Sequence, residues 1–128
     1  MSAQAALVLF AHGARDPAWA LPFEKMAARI RGNRPGLRVE LAFLESMQPT
    51  LASVASSLAA QGVDRITLVP LFLAQGGHLR EDLPRLIEGV RRELPMLKID
   101  VTTAIGDSAE LTNAIADWAL AQHFASQG

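Results

Sequence analysis

The chain has 128 residues, half of them apolar and a fifth charged, with a formal net charge of −1 at pH 7 and no cysteine. These values predict one ordinary soluble globular domain over residues 1–128. They give no support for nucleic acid or an anionic membrane as the main partner. The absence of cysteine excludes disulfides, thiolate metal sites and cysteine nucleophiles. Because the sequence shows no secretory signal and no apolar stretch of about 20 residues, we expect a cytoplasmic location.

Alternating apolar and amphipathic segments predict four strands and four helices. Strands are predicted at 5–11, 37–44 and 97–103, with a third in chain order inside the apolar run that begins at Arg65 and is broken at Gly76 and Gly77. After a loop over 13–19, helices are predicted to begin near Ala20, at Pro49, at Asp82-Pro84, and after Asp107, whose spacing from Glu110 is that of a capping box.

Each predicted helix has apolar residues on one side. In the first three helices this stripe is expected to face a core, and in the last helix Trp118 is expected to be a core or an interface residue. The stripes are Phe23, Met26, Ala27 and Ile30; Leu51, Val54, Ala55 and Leu58; Leu83, Leu86, Ile87 and Val90; and Leu111, Ile115, Trp118 and Ala119. Strands that alternate with helices predict an α/β three-layer sandwich with a four-stranded parallel sheet, in the flavodoxin-like order 2-1-3-4.

Residues of metal-ligand type follow three of the four predicted strands. His12 follows the first, Glu45 the second and His78 the third. Because parallel strands end at one edge of a sheet, and the first and third strands should be neighbours, we expect these side chains to share one crevice. Two imidazoles and a carboxylate suit cobalt, iron, nickel or zinc, whereas magnesium and calcium prefer oxygen ligands.

Other interpretations of these residues remain open. Either histidine could be a hydrogen-bonding loop residue, and Glu45 could simply cap the following helix. Arg15 and Arg80 could be a solvated rim or could bind an anion, and Trp19 beside the expected crevice could pack locally or contact a flat ligand.

Three segments together resemble the short sirohydrochlorin chelatases, the CbiX type of the class II tetrapyrrole chelatases. They are His12-Gly13-Ala14-Arg15-Asp16-Pro17, the strand end Ala42-Phe43-Leu44-Glu45 with Pro49 to follow, and Pro70-Leu71-Phe72-Leu73-x-x-Gly76-x-His78-x-x-x-Asp82-Leu83-Pro84. The similarity extends from the first strand to the last helix. One departure is Ala14, where the family commonly has serine, so any hydrogen bond from that hydroxyl is absent.

The resemblance implies a chelatase, a lyase that inserts a divalent metal into a tetrapyrrole. Co²⁺ is favoured for cobalamin biosynthesis, with Fe²⁺ for siroheme and Ni²⁺ as alternatives, and no organic cofactor is implied. It implies that His12 and His78 hold the metal, with Glu45 as auxiliary ligand or proton acceptor. Arg15 and Arg80 are candidates for the substrate carboxylates. Since larger relatives join two such units in one chain, a chain with one unit is expected to form a symmetric homodimer.

The chemistry explains this choice of residue types. Insertion releases two pyrrole protons and removes water from the metal, and a neutral imidazole binds the ion without adding charge. A histidine of ordinary pKa, about 6.5, can also accept a released proton near pH 7.

Three further readings of function stay open. One is a metal storage or delivery protein that uses the same ligands without turnover. A second is a phosphatase or mutase with His12 as nucleophile, although the arginine usual before that histidine is Ala11 here. The third is a scaffold for protein interaction.

Overall fold

The molecule is organised around a four-stranded parallel sheet with helices on both sides. The computed structural model describes residues 4–127, except for the side chain of His78. The strands are β1 (Gln4–Ala11), β2 (Arg38–Phe43), β3 (Val63–Pro70) and β4 (Lys98–Val101), and the helices are α1 (Leu21–Asn33), α2 (Leu51–Ala60), α3 (Gly77–Glu93) and α4 (Ala109–Gln127). All strand pairs are parallel, and the order β2-β1-β3-β4 confirms the predicted fold and topology.

Two apolar clusters cover the two faces of the sheet. Alternate residues of β1 and β3, such as Phe10 and Leu68, point to one face of the sheet and pack with the buried stripes of α2 and α3. The residues between them, such as Leu9, point to the opposite face and pack against Ala27 and Ile30 of α1. This arrangement follows from right-handed crossovers, because α1 connects strands in one direction across the sheet and α2 and α3 connect them in the other.

One helix stripe differs from the prediction, and the stripe of the last helix lies outside the core. In α1, Met26 is 44% exposed, while Ala27 is fully buried and Phe23 and Ile30 are half-buried. The small Ala27 side chain forms the contact with the sheet, and Met26 lies about 100° around the helix from it. In α4, none of the described residues is buried, so of the two alternatives for Trp118 the core is wrong.

The start of α3 also differs. The helix begins at Gly77, with extended Gly76 as its N-cap, so Asp82 does not cap it and Pro84 lies in its interior. The buried side chains of Leu83, Ile87 and Val90 pack the helix onto the sheet. Such packing contributes more to helix stability than a local start signal, and it outweighs the proline in the interior.

Two short 3-10 turns lie where the sequence predicted a loop and a helix cap. Residues Pro17–Ala20 form one turn inside the predicted loop, and the Asp16 carboxylate accepts a hydrogen bond from Ala18 N at 2.9 Å. Ile105–Asp107 form the other, so the predicted capping box of Asp107 and Glu110 is wrong. Ser108 takes the cap position instead, because its Oγ accepts from Leu111 N at 3.3 Å.

Both outer strands have an arginine bonded to a main-chain carbonyl. Arg31 in the last turn of α1 donates from Nε to the Val39 carbonyl of β2 at 3.1 Å. Arg91 near the end of α3 donates from Nη2 to the Ile99 carbonyl of β4 at 2.7 Å. Over residues 4–127, no helix has both the length and the apolarity that a membrane span needs.

Candidate metal centre

The strand register brings the ends of β1, β2 and β3 to the same level. Ala11, the last residue of β1, pairs with Phe43 of β2, and Phe10 pairs with Pro70 of β3. Main-chain hydrogen bonds continue past the strands, from Glu45 N to His12 O at 3.1 Å and from Leu71 N to Phe10 O at 2.7 Å. The loops after these three strands therefore start from one edge of the sheet.

His12 and Glu45 meet at this edge. The His12 Nδ1 atom lies 3.6 Å from Glu45 Oε1, and the two side chains are 51% and 62% exposed. Two ligand atoms on one transition-metal ion, each about 2.1 Å from it, can be at most roughly 4.2 Å apart. The two side chains are therefore close enough to share an ion, and their exposure leaves it accessible to a second ligand.

Gly13 allows the two loops to approach this closely. Its φ is +93°, and a Cβ built at this position would lie 1.9 Å from the Glu45 carbonyl oxygen. No side chain larger than hydrogen fits without moving one of the loops. The glycine that follows His12 thus fixes the distance between the histidine loop and the glutamate loop.

Phe72 supports the other side of the His12 ring. The two ring centroids are 6.4 Å apart with an interplanar angle of 83°, and Phe72 itself packs edge-on against Phe10 at 5.7 Å. Phe72 is 4% exposed. Phe72 belongs to the apolar run and to the third segment of the family resemblance, and no role at the site was predicted for it.

His78 lies on the first turn of α3, as the second residue of that helix. Its backbone follows the end of β3 by a loop over 71–76, but its side chain lies outside the described part of the structure. Within the described side chains, no group of three or more histidine, aspartate or glutamate residues could hold an ion together. The described part of the site is therefore the pair His12 and Glu45.

The remaining candidate residues are placed as follows. Arg15 lies in the loop after β1 and Arg80 in the first helical turns of α3, and both are exposed. Trp19 packs locally, with its ring centroid 4.7 Å from that of Phe23 and 6.4 Å from that of Phe43. Trp19 is half-buried in this cluster, so local packing is the interpretation that the structure favours.

The fold and this edge define a class of α/β proteins whose parallel strands end beside an exposed imidazole and carboxylate, a pair of side chains that suits a transition-metal ion. Within this class the chain belongs to the CbiX family, whose family model matches residues 6–120.

Named relatives and solved structures agree with this assignment. A sirohydrochlorin cobaltochelatase of Methanopyrus kandleri is 37% identical over 82 residues, which are 64% of this chain and 57% of that protein. The chain thus spans little more than half the length of this relative. A sirohydrochlorin cobaltochelatase of Saccharolobus islandicus is 34% identical over 103 residues, which are 79% of each chain.

Two crystal structures show the same fold. A CbiX protein of cobalamin biosynthesis from Marinobacter aquaeolei has a TM-score of 0.80 and 32% identity, over 97% of this chain and 99% of that one. The sirohydrochlorin chelatase SirB of Bacillus subtilis subspecies spizizenii, in complex with cobalt, has a TM-score of 0.75 and 24% identity. The match to SirB covers 89% of this chain and 49% of that one, so the fold described here fills half of SirB.

Proposed function

We propose that this protein is a chelatase that inserts a divalent metal, with Co²⁺ favoured, into sirohydrochlorin. The observation that carries the proposal is the approach of His12 and Glu45 to 3.6 Å at the ligand-binding edge of a CbiX fold. The relatives named as sirohydrochlorin cobaltochelatases support the same reaction and the same metal. Fe²⁺ or Ni²⁺ would be handled by the same donor atoms, and their availability would decide among the three.

In this proposal the metal is a substrate that enters with its own water ligands. The His12 imidazole and the Glu45 carboxylate hold the ion at the exposed edge, and His78 from the first turn of α3 completes the set. A neutral imidazole keeps the site's charge low, so the ion can pass to the macrocycle nitrogens. Insertion releases two pyrrole protons, and Glu45 and the histidines are the groups at this edge that can accept them.

The macrocycle carries carboxylates that need cationic or N–H partners. Arg15 and Arg80 are the proposed partners, since both are exposed on segments that border the edge. The N-terminus of α3 adds a partial positive charge at the same place. Replacing both arginines by alanine is expected to raise the KM for sirohydrochlorin with little change in kcat, because these contacts lie away from the reacting nitrogens.

The experiment follows loss of the free macrocycle's absorbance on addition of Co²⁺, Fe²⁺ or Ni²⁺ to the purified chain and sirohydrochlorin. We expect Co²⁺ insertion well above the uncatalysed rate, and a loss on the order of 100-fold in His12→Ala, the lower end of what a group that accepts a proton contributes. Glu45→Gln should lose less, since it keeps an oxygen donor but not the charge. The matched control is Glu24→Gln, at an exposed position in the first turn of α1.

A full rate in His12→Ala would contradict the proposed metal centre. Binding of Co²⁺ without insertion, in a single turnover with excess protein, would instead indicate metal storage or delivery. We further propose that the protein works in the cytoplasm as a symmetric homodimer, whose two metal edges together enclose the macrocycle.

A further inference from the structure

Leu73 is an exposed leucine in the loop that follows β3. Its side chain is 59% exposed, whereas the preceding residue, Phe72, is 4% exposed. The loop over 71–76 contains no charged residue. Single apolar side chains are common on protein surfaces, so exposure alone does not make Leu73 a binding residue. What distinguishes it is its position beside the metal edge and the contacts that hold its backbone there.

The strand register places Leu73 close to His12. Phe10 of β1 pairs with Pro70 of β3, so the same register continued past the strands sets His12 level with Phe72. The contact between the His12 and Phe72 rings, whose centroids are 6.4 Å apart, agrees with this register. Leu73 is one residue farther out. With strands about 4.8 Å apart and a rise of about 3.3 Å per residue, its backbone lies on the order of 6 Å from that of His12.

The backbone around Leu73 is held from two sides. Gly106 N donates to the Phe72 carbonyl at 3.1 Å, and a Cβ on Gly106 would lie 1.7 Å from the Leu73 carbonyl oxygen. On the other side, Leu71 N donates to the Phe10 carbonyl at 2.7 Å. The leucine side chain therefore projects from a fixed backbone, and a ligand that covers it loses little affinity to the ordering of the loop.

The geometry of metal transfer decides what covers Leu73. In the proposed function, the ion held by His12 passes to the four nitrogens at the centre of the macrocycle. An ion on an imidazole lies about 2.1 Å from the ring nitrogen, so the centre of the macrocycle must come close to His12. The four pyrrole rings extend from that centre in every direction, over the neighbouring strand end as well. A side chain on the order of 6 Å away, on the outer side of the edge, then lies beneath the macrocycle.

We propose that Leu73 is a substrate-contacting residue whose side chain packs against the flat apolar face of the tetrapyrrole. The inference rests on the proposed function and adds the residue that selects for an apolar ring face. The contact removes water from the leucine and from the macrocycle together, which favours binding. Arg15 and Arg80 are exposed at the same edge and would contact the carboxylates at the periphery of the macrocycle. An apolar surface with a few charged groups around it is the usual composition of a small-molecule site.

The first measurement is the dissociation constant of metal-free sirohydrochlorin, titrated by absorbance in the presence of a chelator, so that no turnover is needed. Leu73→Asn should raise this constant about 10-fold, as expected when a partly buried aliphatic contact is lost. Leu73→Met should bind nearly as tightly as wild type, because it keeps an apolar side chain of similar volume. The matched control is Met96→Asn, which changes an apolar side chain that is 89% exposed just before β4, at the opposite edge of the sheet.

The second measurement is the affinity of Leu73→Asn for Co²⁺ by calorimetry, together with its molar mass by light scattering. Both should equal those of wild type, because His12 and Glu45 are unchanged. Unchanged sirohydrochlorin affinity in Leu73→Asn would overturn the contact, and so would weakened Co²⁺ binding, which would mean that the loop has moved. A changed molar mass would assign Leu73 to an interface between copies and would also overturn it. A wild-type chain that does not bind sirohydrochlorin would instead overturn the chelatase proposal itself, and the contact with it.

Discussion

The close approach of Gly13 to the Glu45 carbonyl leads to a specific prediction about the metal centre. In Gly13→Ala, the new methyl group would lie 1.9 Å from the Glu45 carbonyl oxygen, whereas real Cβ contacts under 3.0 Å essentially never occur. The two loops must therefore separate by at least the difference of 1.1 Å. The φ of +93° also places alanine in a region that costs it about 1–3 kcal/mol.

This displacement is large on the scale of the metal centre. If all of it fell along the line from His12 Nδ1 to Glu45 Oε1, their separation would rise from 3.6 Å by 1.1 Å to 4.7 Å. Two ligands of one ion can be at most roughly 4.2 Å apart, so a displacement in this direction would prevent the pair from sharing the ion. Errors of about 1 Å in catalytic geometry can lower a rate about 100-fold, and we expect a loss of that order in metal insertion.

The assays are calorimetric titration with Co²⁺, the insertion rate, and unfolding in urea. The matched control is Gly36→Ala, another glycine outside the helices and strands, because a Cβ there meets nothing within 4 Å. Gly13→Ala should bind Co²⁺ at least about 10-fold more weakly and unfold at least about 1 kcal/mol more easily. If it matches Gly36→Ala in both affinity and stability, the close approach of the two loops does not set the geometry of the metal centre.

Two further predictions concern the elements that support this edge. Gly106→Ala would place a Cβ 1.7 Å from the Leu73 carbonyl oxygen, so we expect urea unfolding to show a destabilisation of at least about 2 kcal/mol. The control Gly89→Ala, whose Cβ would meet nothing within 4 Å, should be neutral or stabilising. Equal urea midpoints for the two variants would contradict this prediction. Thr50→Ala removes the 3.2 Å cap bond from Ser53 N at the start of α2 and should cost about 1 kcal/mol, and an unchanged thermal midpoint would show that this cap is dispensable.

The sequence predicts the sheet well because its strands are apolar runs that are separated by amphipathic helices. The stripe of Leu51, Val54, Ala55 and Leu58 is buried as expected, since α2 lies flat on the sheet. The meeting of His12 with Glu45 also follows from topology alone, because parallel strands that end together place their next residues at one edge.

The structure differs from the sequence predictions where contacts between distant parts of the chain decide the local conformation. Asp82 and Pro84 look like a helix start in sequence, yet packing of the buried residues of α3 carries that helix back to Gly77. The exposure of Trp118 cannot be read from its helical spacing, because the same stripe suits a core and an interface between copies. The contact of Gly13 with Glu45 joins residues 32 positions apart and has no local pattern in the sequence.

The two arginines at the outer strands bear on how such molecules can associate. An edge strand with free main-chain groups invites another chain to add a strand, which is a route to aggregation. The Arg31 and Arg91 guanidinium groups already occupy the Val39 and Ile99 carbonyls on the two rims. An incoming strand would have to displace a charged donor at each of these positions. Self-assembly through the rims is thereby disfavoured, and contacts through helical surfaces become the easier route for ordered pairing.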